Sequence, residues 1–376
     1  MYGTVENPGL RVLGAPKEYV QGPGALDELP HLAERYGEGR VLAVVDGFLF
    51  EALSRRLEAL FSARGRSVTC LRFTGEATRM EGERIALAAA EADVVAGIGG
   101  GKCIDIGKYA GLHARKPVFS IPTVASNDAP TSRLIVLYTE EHAVAGTQFL
   151  ASNPDLVLVD TDIIAAAPPR LLRAGVGDAL TKLYEARAAA LSNGANSFSA
   201  RAPYLGRKLG AICREVIWRT GPAVLEAQAR GERHADFEEL VETLIFVSGI
   251  AFESGGLSVA HSMIRGLTRI PALGGGLHGE HVAYSTLVQI VMEGDEGDLA
   301  DVMAFNRSIG LPVSLRDLGV PREALHEAAA TIAAGTMTAP YIGNFPRKLE
   351  ASDIIDAILK LEALAESSEP QADAGH

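Results

Sequence analysis

Two histidines and an aspartate in the second half of this chain have the types and settings to hold a metal ion. Asp178 lies near a helix start in GVGDALTKLYEA, His261 on a glycine-led helix in FESGGLSVAHSMIRG, and His278 opens a further helix in GGGLHGEHVAYS. One carboxylate and two imidazoles suit zinc or iron(II), and three protein ligands leave a coordination position for substrate. Each residue also has an ordinary reading: Asp178 as a helix cap, His261 as a satisfied core histidine, His278 as a first-turn residue. His281, three residues after His278, competes for the ligand role.

A second chemistry is suggested by GIGGGKCID, Gly97 to Asp105, between an apolar run and a helical pattern. Glycines here let backbone N–H groups approach a phosphate, and the next helix N-terminus adds a partial positive charge. A tight turn with no ligand is the competing reading. Asp46 ends the apolar run RVLAVVD. A carboxylate there can accept hydrogen bonds from an adenosine ribose and would repel a 2′-phosphate, favouring NAD over NADP. A cap or turn aspartate remains open. TGEAT, Thr74 to Thr78, is another glycine-containing turn after a strand pattern.

The elements that must position these residues fall into two kinds. RVLAVVD, SVTCLRF, ADVVAGIGGG, PVFSIPT, LIVLY and DLVLVD read as strands. FLFEALSRRLEALFSARG, ERIALAAAEA and KCIDIGKYAGLHA read as helices between them. Such alternation predicts an α/β unit with a mostly parallel, Rossmann-like sheet covered by helices on both faces. From Pro168-Pro169 onward, long alanine- and leucine-rich stretches predict an all-helical unit. The expected division is 1–167 and 168–376, with the last residues, EPQADAGH, frayed.

The 376 residues allow two domains at roughly 150 residues each. A hydrophobic content of 47% supplies two cores, and the net charge of -12 disfavours nucleic acid and anionic membranes as partners. Cys70, Cys103 and Cys213 have no CxxC spacing, which fits a reducing cytoplasm. No secretory leader and no membrane-spanning run is read from the sequence.

Taken in order, YVQGPGAL, GIGGGKCID, IPTVASNDAPTS, NPDLVLVDT, GVGDALTK, FESGGLSVAH and LHGEHVAY resemble the glycerol dehydrogenase family. That family lies within the superfamily of iron-containing alcohol dehydrogenases and dehydroquinate synthases. The resemblance implies a dehydroquinate synthase-like fold and a homo-oligomer with the site between the two units. Gly99, Gly100, Gly101 and Lys102 would form the pyrophosphate loop, with Asp105 in the cofactor set. Asp46 would hold the ribose, and Thr123 and Ser126 would line the NAD site. Asp128 would meet the substrate hydroxyls. Asp178, His261 and His278 would bind the metal, zinc in this family, with iron(II) or another divalent ion as alternatives. The implied reaction is oxidation of glycerol or a related vicinal diol to the hydroxyketone, and its reverse.

The sequence departs from the family at several positions. Cys103 replaces a threonine after GGGK and reads as a buried small residue. His281 and Tyr284 replace a lysine and a phenylalanine. Ile264-Arg265 replaces a histidine–asparagine pair, and Arg265 lies four residues beyond His261 on the same helix face. Turned into the site, that guanidinium would favour a hydroxy acid or phosphorylated polyol; turned outward, it would not. Lys182 stands four residues after Asp178, where other superfamily members carry a histidine ligand, so three protein ligands are expected. A dehydroquinate synthase-like lyase would need a glutamate in place of Asp178, and a non-catalytic relative would not need the intact ligand set.

Overall fold

The computed structural model describes residues 5–140 and 144–368. Its eight strands are β1 (Tyr19–Gly22), β2 (Val41–Asp46), β3 (Val68–Phe73), β4 (Val94–Gly99), β5 (Val118–Pro122), β6 (Leu134–Tyr138), β7 (Val144–Phe149) and β8 (Leu156–Asp160). Six form a parallel sheet in the order β1-β8-β5-β4-β2-β3. Helices α1 (Leu29–Ala33), α2 (Phe50–Ala63), α3 (Arg79–Ala88) and α4 (Gly101–Ala114) connect them.

Side chains alternate along β2. Val41, Ala43 and Val45 enter one core with Leu57 and Phe61 of α2. Leu42 and Val44 enter the other with Ile85 of α3 and Ile106 of α4. Both faces are therefore covered, as a parallel sheet requires. The strand order reverses between β2 and β4, and Asp46 and Gly99 end those two strands. A crevice at such a reversal, beyond the carboxyl ends of the strands, is where open α/β sheets bind ligands.

LIVLY is a strand, but not of this sheet. β6 pairs antiparallel with β7 in a separate hairpin. The edge strand β1, which the sequence reading did not identify, pairs with β8. Its four residues are too few to show alternation.

After β8 every regular element is helical among the described residues. These are α5 (Thr161–Ala166), α6 (Pro169–Leu180), α7 (Lys182–Leu191), α8 (Tyr204–Ala229), α9 (Phe237–Glu242), α10 (Ser248–Gly255), α11 (Val259–Leu267), α12 (His278–Glu293), α13 (Glu296–Ile309), α14 (Leu325–Thr336) and α15 (Ala351–Ser367). A π-helical stretch, Thr243–Val247, joins α9 to α10. The helical core gathers residues such as Leu180, Ile217, Leu244, Met263 and Val288.

The two halves also touch away from Pro168. Arg11 forms a bridge with Arg201, and Asn196 Nδ2 donates to the Val12 carbonyl, so residues 11 and 12 lie against the helical half. EPQADAGH lies outside the described residues. Among the described residues no single helix is long and apolar enough to cross a membrane.

Candidate active site

The segment after β5 lies between the glycine loop and α6. Thr123 N–H donates to the Gly99 carbonyl at 3.1 Å. A Cβ built on Gly101 would lie 3.1 Å from Asn127 Nδ2, so the loop and the 126–128 turn are direct neighbours. On the other side, a Cβ on Gly175 would lie 1.9 Å from the Ala125 carbonyl oxygen. Only a residue without a side chain admits α6 this close. The result sets Asp178, near the end of α6, against the turn: Asp128 N–H donates to Asp178 Oδ2 at 3.3 Å.

Gly99 ends β4, Gly100 precedes α4 in extended conformation, and Gly101 is its first residue. No side chain caps this helix, so its first N–H groups face the crevice as a phosphate site would. Asp46 is half-buried, and its Oδ1 accepts the Phe48 N–H at 3.0 Å. Lys102 Nζ is paired with the buried Glu76 at 2.5 Å and stands over the Tyr138 ring. Thr123 is buried and Ser126 half-buried. Asp105 is turned into the protein, where Lys108 and the Val136 N–H donate to its two oxygens. Cys103 is buried, its thiol donating to the Val44 and Ile98 carbonyls, and burial pushes its pKa up.

The three residues singled out for a metal do converge. One ligand-type atom each from Asp178, His261 and His278 lies within 4.8 Å of the others. His261 Nε2 is 3.4 Å from Asp178 Oδ1. Asp178 is buried, His261 half-buried and His278 exposed, so the group is walled on one side and open on the other. His281 is outside this group. Its Nε2 is buried against Gly276, where a Cβ would lie 2.3 Å away. The donor set of one oxygen and two nitrogens fits zinc or iron(II), and its open side suits a ligand-exchanging ion.

Two residues that the sequence reading did not assign complete the site. Glu185 accepts the His261 Nδ1–H on Oε2 at 2.5 Å, and its Oε1 accepts the backbone N–H of Ser258 and of His261. One carboxylate thus caps α11 and fixes the His261 tautomer, leaving Nε2 to face Asp178. Lys182 Nζ lies 2.7 Å from Asp178 Oδ1, 2.8 Å from Asp128 Oδ2 and 3.5 Å from His261 Nε2. Both residues stand in the GVGDALTKLYEA run, at four and seven residues past Asp178, the spacing of one helix face. That spacing was the available signal.

The electrostatics follow. Burial would lower Lys182, but Asp128 and Asp178 outweigh it and raise it, keeping the ammonium charged. Burial would raise Asp178, and Lys182 with the two histidines overcomes this and holds it well below the usual carboxylate range. Asp128 is raised by burial and by Asp178, against the pull of Lys182. Burial would lower His261, but Glu185 and Asp178 raise it to about 9. Arg265 is exposed and donates to the Thr338 carbonyl at 3.0 Å, which removes the feature that favoured an anionic substrate.

The chain is similar to known proteins in sequence and in fold. The model of the iron-containing alcohol dehydrogenase family matches residues 20–168. The glycerol dehydrogenase of Pseudomonas putida is 34% identical over 95% of this chain and 98% of its own. The glycolaldehyde reductase of Halobacterium salinarum is 33% identical over 94% and 97%. The crystal structure of glycerol dehydrogenase from Schizosaccharomyces pombe superposes with a TM-score of 0.92 at 30% identity, covering 98% of this chain and 94% of that one.

Proposed function

The chain belongs to the glycerol dehydrogenase family of iron-containing alcohol dehydrogenases and is an NAD-dependent oxidoreductase of CH–OH groups, and we propose that it oxidises glycerol or a related vicinal diol to the hydroxyketone and catalyses the reverse. The observation that carries this reading is the convergence of Asp178, His261 and His278 beside Asp128, next to the glycine loop. Names of relatives at 33–34% identity, a glycerol dehydrogenase and a glycolaldehyde reductase, point to small hydroxylated two- and three-carbon substrates.

In this reading Asp178, His261 and His278 hold a divalent metal, with zinc proposed from the N,N,O donor set and the three-ligand count. When bound, the metal would supply Lewis acidity toward the substrate oxygen, and NAD would supply a hydride acceptor. The protein does the rest. Asp128 accepts a hydrogen bond from the second hydroxyl and so selects diols. Glu185 holds His261 in the ligating tautomer. The N–H groups opening α4 take the pyrophosphate, Asp46 takes the adenosine ribose, and Thr123 and Ser126 line the nicotinamide side. The unpaired Cys70, Cys103 and Cys213 suit a reducing cytoplasm, and we take the enzyme to be a homo-oligomer.

The test is to strip the protein with a chelator and follow NADH formation from glycerol and short vicinal diols, and NADH consumption with glycolaldehyde and dihydroxyacetone. Zinc restores turnover, and His261→Ala abolishes it. Absence of turnover with every diol and hydroxycarbonyl compound, in protein shown to hold zinc and NAD, would rule out the substrate class.

A further inference from the structure

The two oxygens of Asp178 have different work. Oδ2 accepts the Asp128 N–H. Oδ1 faces His261 Nε2 at 3.4 Å, on the side where the ligand-type atoms converge. Lys182 Nζ sits on that same Oδ1, at 2.7 Å. This is no drifting surface charge. The Lys182 side chain is 1% exposed, bridges to Asp128 Oδ2 at 2.8 Å, and has the Phe252 ring 5.7 Å away. Taking an ammonium this far from water is costly unless carboxylates pair with it, and here two do. A divalent ion bound to Asp178 through the oxygen that faces His261 would compete with Lys182 for it, and two cations a few ångströms apart in a poorly solvated site repel strongly.

We propose that Lys182 is a resident cation of the metal site: it holds Asp128 and Asp178 together in the metal-free protein, and a divalent ion displaces it from Asp178 Oδ1 while it stays on Asp128. This rests on the metal-site reading above and adds a competitor to it. Three consequences follow. The metal-free enzyme keeps its ligands near their places, because one ammonium already bridges Asp128 and Asp178 and partly offsets their charge. The metal binds more weakly than its three ligands alone would dictate, and so exchanges readily. With the metal in place, Lys182 fixes the Asp128 carboxylate that meets the second hydroxyl.

Formal charge gives a reason for retaining the lysine. Asp128, Asp178 and Glu185 against one ammonium leave two negative charges, which a divalent ion cancels. Without the ammonium the loaded site keeps a net negative charge beside an oxygen that itself becomes negative when the hydroxyl gives up its proton, or when hydride reaches the carbonyl in the reverse direction. A neutral site opposes that less.

Two variants test the proposal. Lys182→Met removes the charge in a similar volume, and Lys182→Gln keeps a hydrogen-bond donor without charge. Stripped protein is titrated with zinc chloride by calorimetry, and thermal unfolding is recorded for stripped and zinc-loaded forms. Both variants are expected to bind zinc about tenfold tighter or more. Their stripped forms should melt below stripped wild type, with the gap closing on zinc addition. Should stripped Lys182→Met fail to fold, the Gln variant carries the titration. Zinc affinity unchanged or weakened in the variants, with wild type binding normally, overturns the role of Lys182 and leaves the metal site standing. A wild-type chain that takes up no zinc, iron(II) or other divalent ion overturns both.

Discussion

His261 can ligate through Nε2 only while its proton stays on Nδ1, and Glu185 is what keeps it there. Glu185→Gln presents an amide N–H₂ or a neutral carbonyl to Nδ1. If the amide nitrogen faces the ring, the proton moves to Nε2 and the ligand lone pair is lost. The expected result is metal affinity weaker by about tenfold to a hundredfold, measured by titration of the stripped protein. Glu185→Asp should lose less, because charge and acceptor remain. At this scale the sequence was legible where residue type alone is telling. Asp178, His261 and His278 are ligand types, and the structure brings their ligand atoms within 4.8 Å. For Glu185 and Lys182 only the spacing from Asp178 was legible and their roles were not, because charged residues on a helix usually face water and only burial reveals otherwise. Arg265 is the reverse case, a residue that type alone made suspect and that the fold leaves in solvent.

Helices α6 and α12 carry Asp178 and His278, and they meet backbone to backbone. A Cβ on Gly279 would lie 1.8 Å from the Ala174 carbonyl oxygen, and one on Gly177 2.4 Å from the Gly279 carbonyl oxygen. The atoms in the way are main chain, so no side chain can swing aside. Gly279→Ala must therefore push the two helices apart, despite the better helix propensity of alanine. Overpacking of this kind costs about 1–3 kcal/mol, and contacts this short put it at the upper end. Denaturant unfolding should show the loss, and zinc affinity should fall with it, since one ligand stands on each helix. An unaltered zinc affinity would mean that the ligands are positioned independently of this contact. The glycines of GVGD and LHGE were visible in the sequence, but nothing there tells a phosphate-facing glycine from one that brings two helices together. Strands were legible where a long apolar run made them so, as in β2 and β4. The hairpin partner β7, VAGTQF, was missed because none of its residues is buried and they do not alternate.

Across the whole molecule, the α/β half is tied to the helical half by a buried carboxylate that is not one of the metal ligands. Glu253 of α10 accepts the Arg133 N–H on Oε1 and the Asn153 side-chain amide on Oε2. Arg133 Nε lies 3.8 Å from the same carboxylate, and its guanidinium covers the Phe198 ring at 4.2 Å. No reading of either half alone could find this tie, because its members are 100 and 120 residues apart. Burial raises the Glu253 pKa to about 7, against the lowering exerted by Arg133 and Asn153. The unfolded chain gives up this proton near its ordinary value of 4.5, and the folded protein holds it to about 7. Below 4.5 the acid is neutral in both states, and the stabilisation it brings is fully present. As pH rises toward 7 the unfolded state gains by ionising and the folded state does not, so stability falls by about 3 kcal/mol and then levels off. Glu253→Gln has no proton to lose. Its stability relative to wild type should rise by about 2–3 kcal/mol between pH 5 and 7.5 and stay constant above, read from urea unfolding at fixed salt and fixed zinc. A difference that does not change with pH would show that Glu253 is already ionised at pH 5, with Arg133 and Asn153 outweighing its burial.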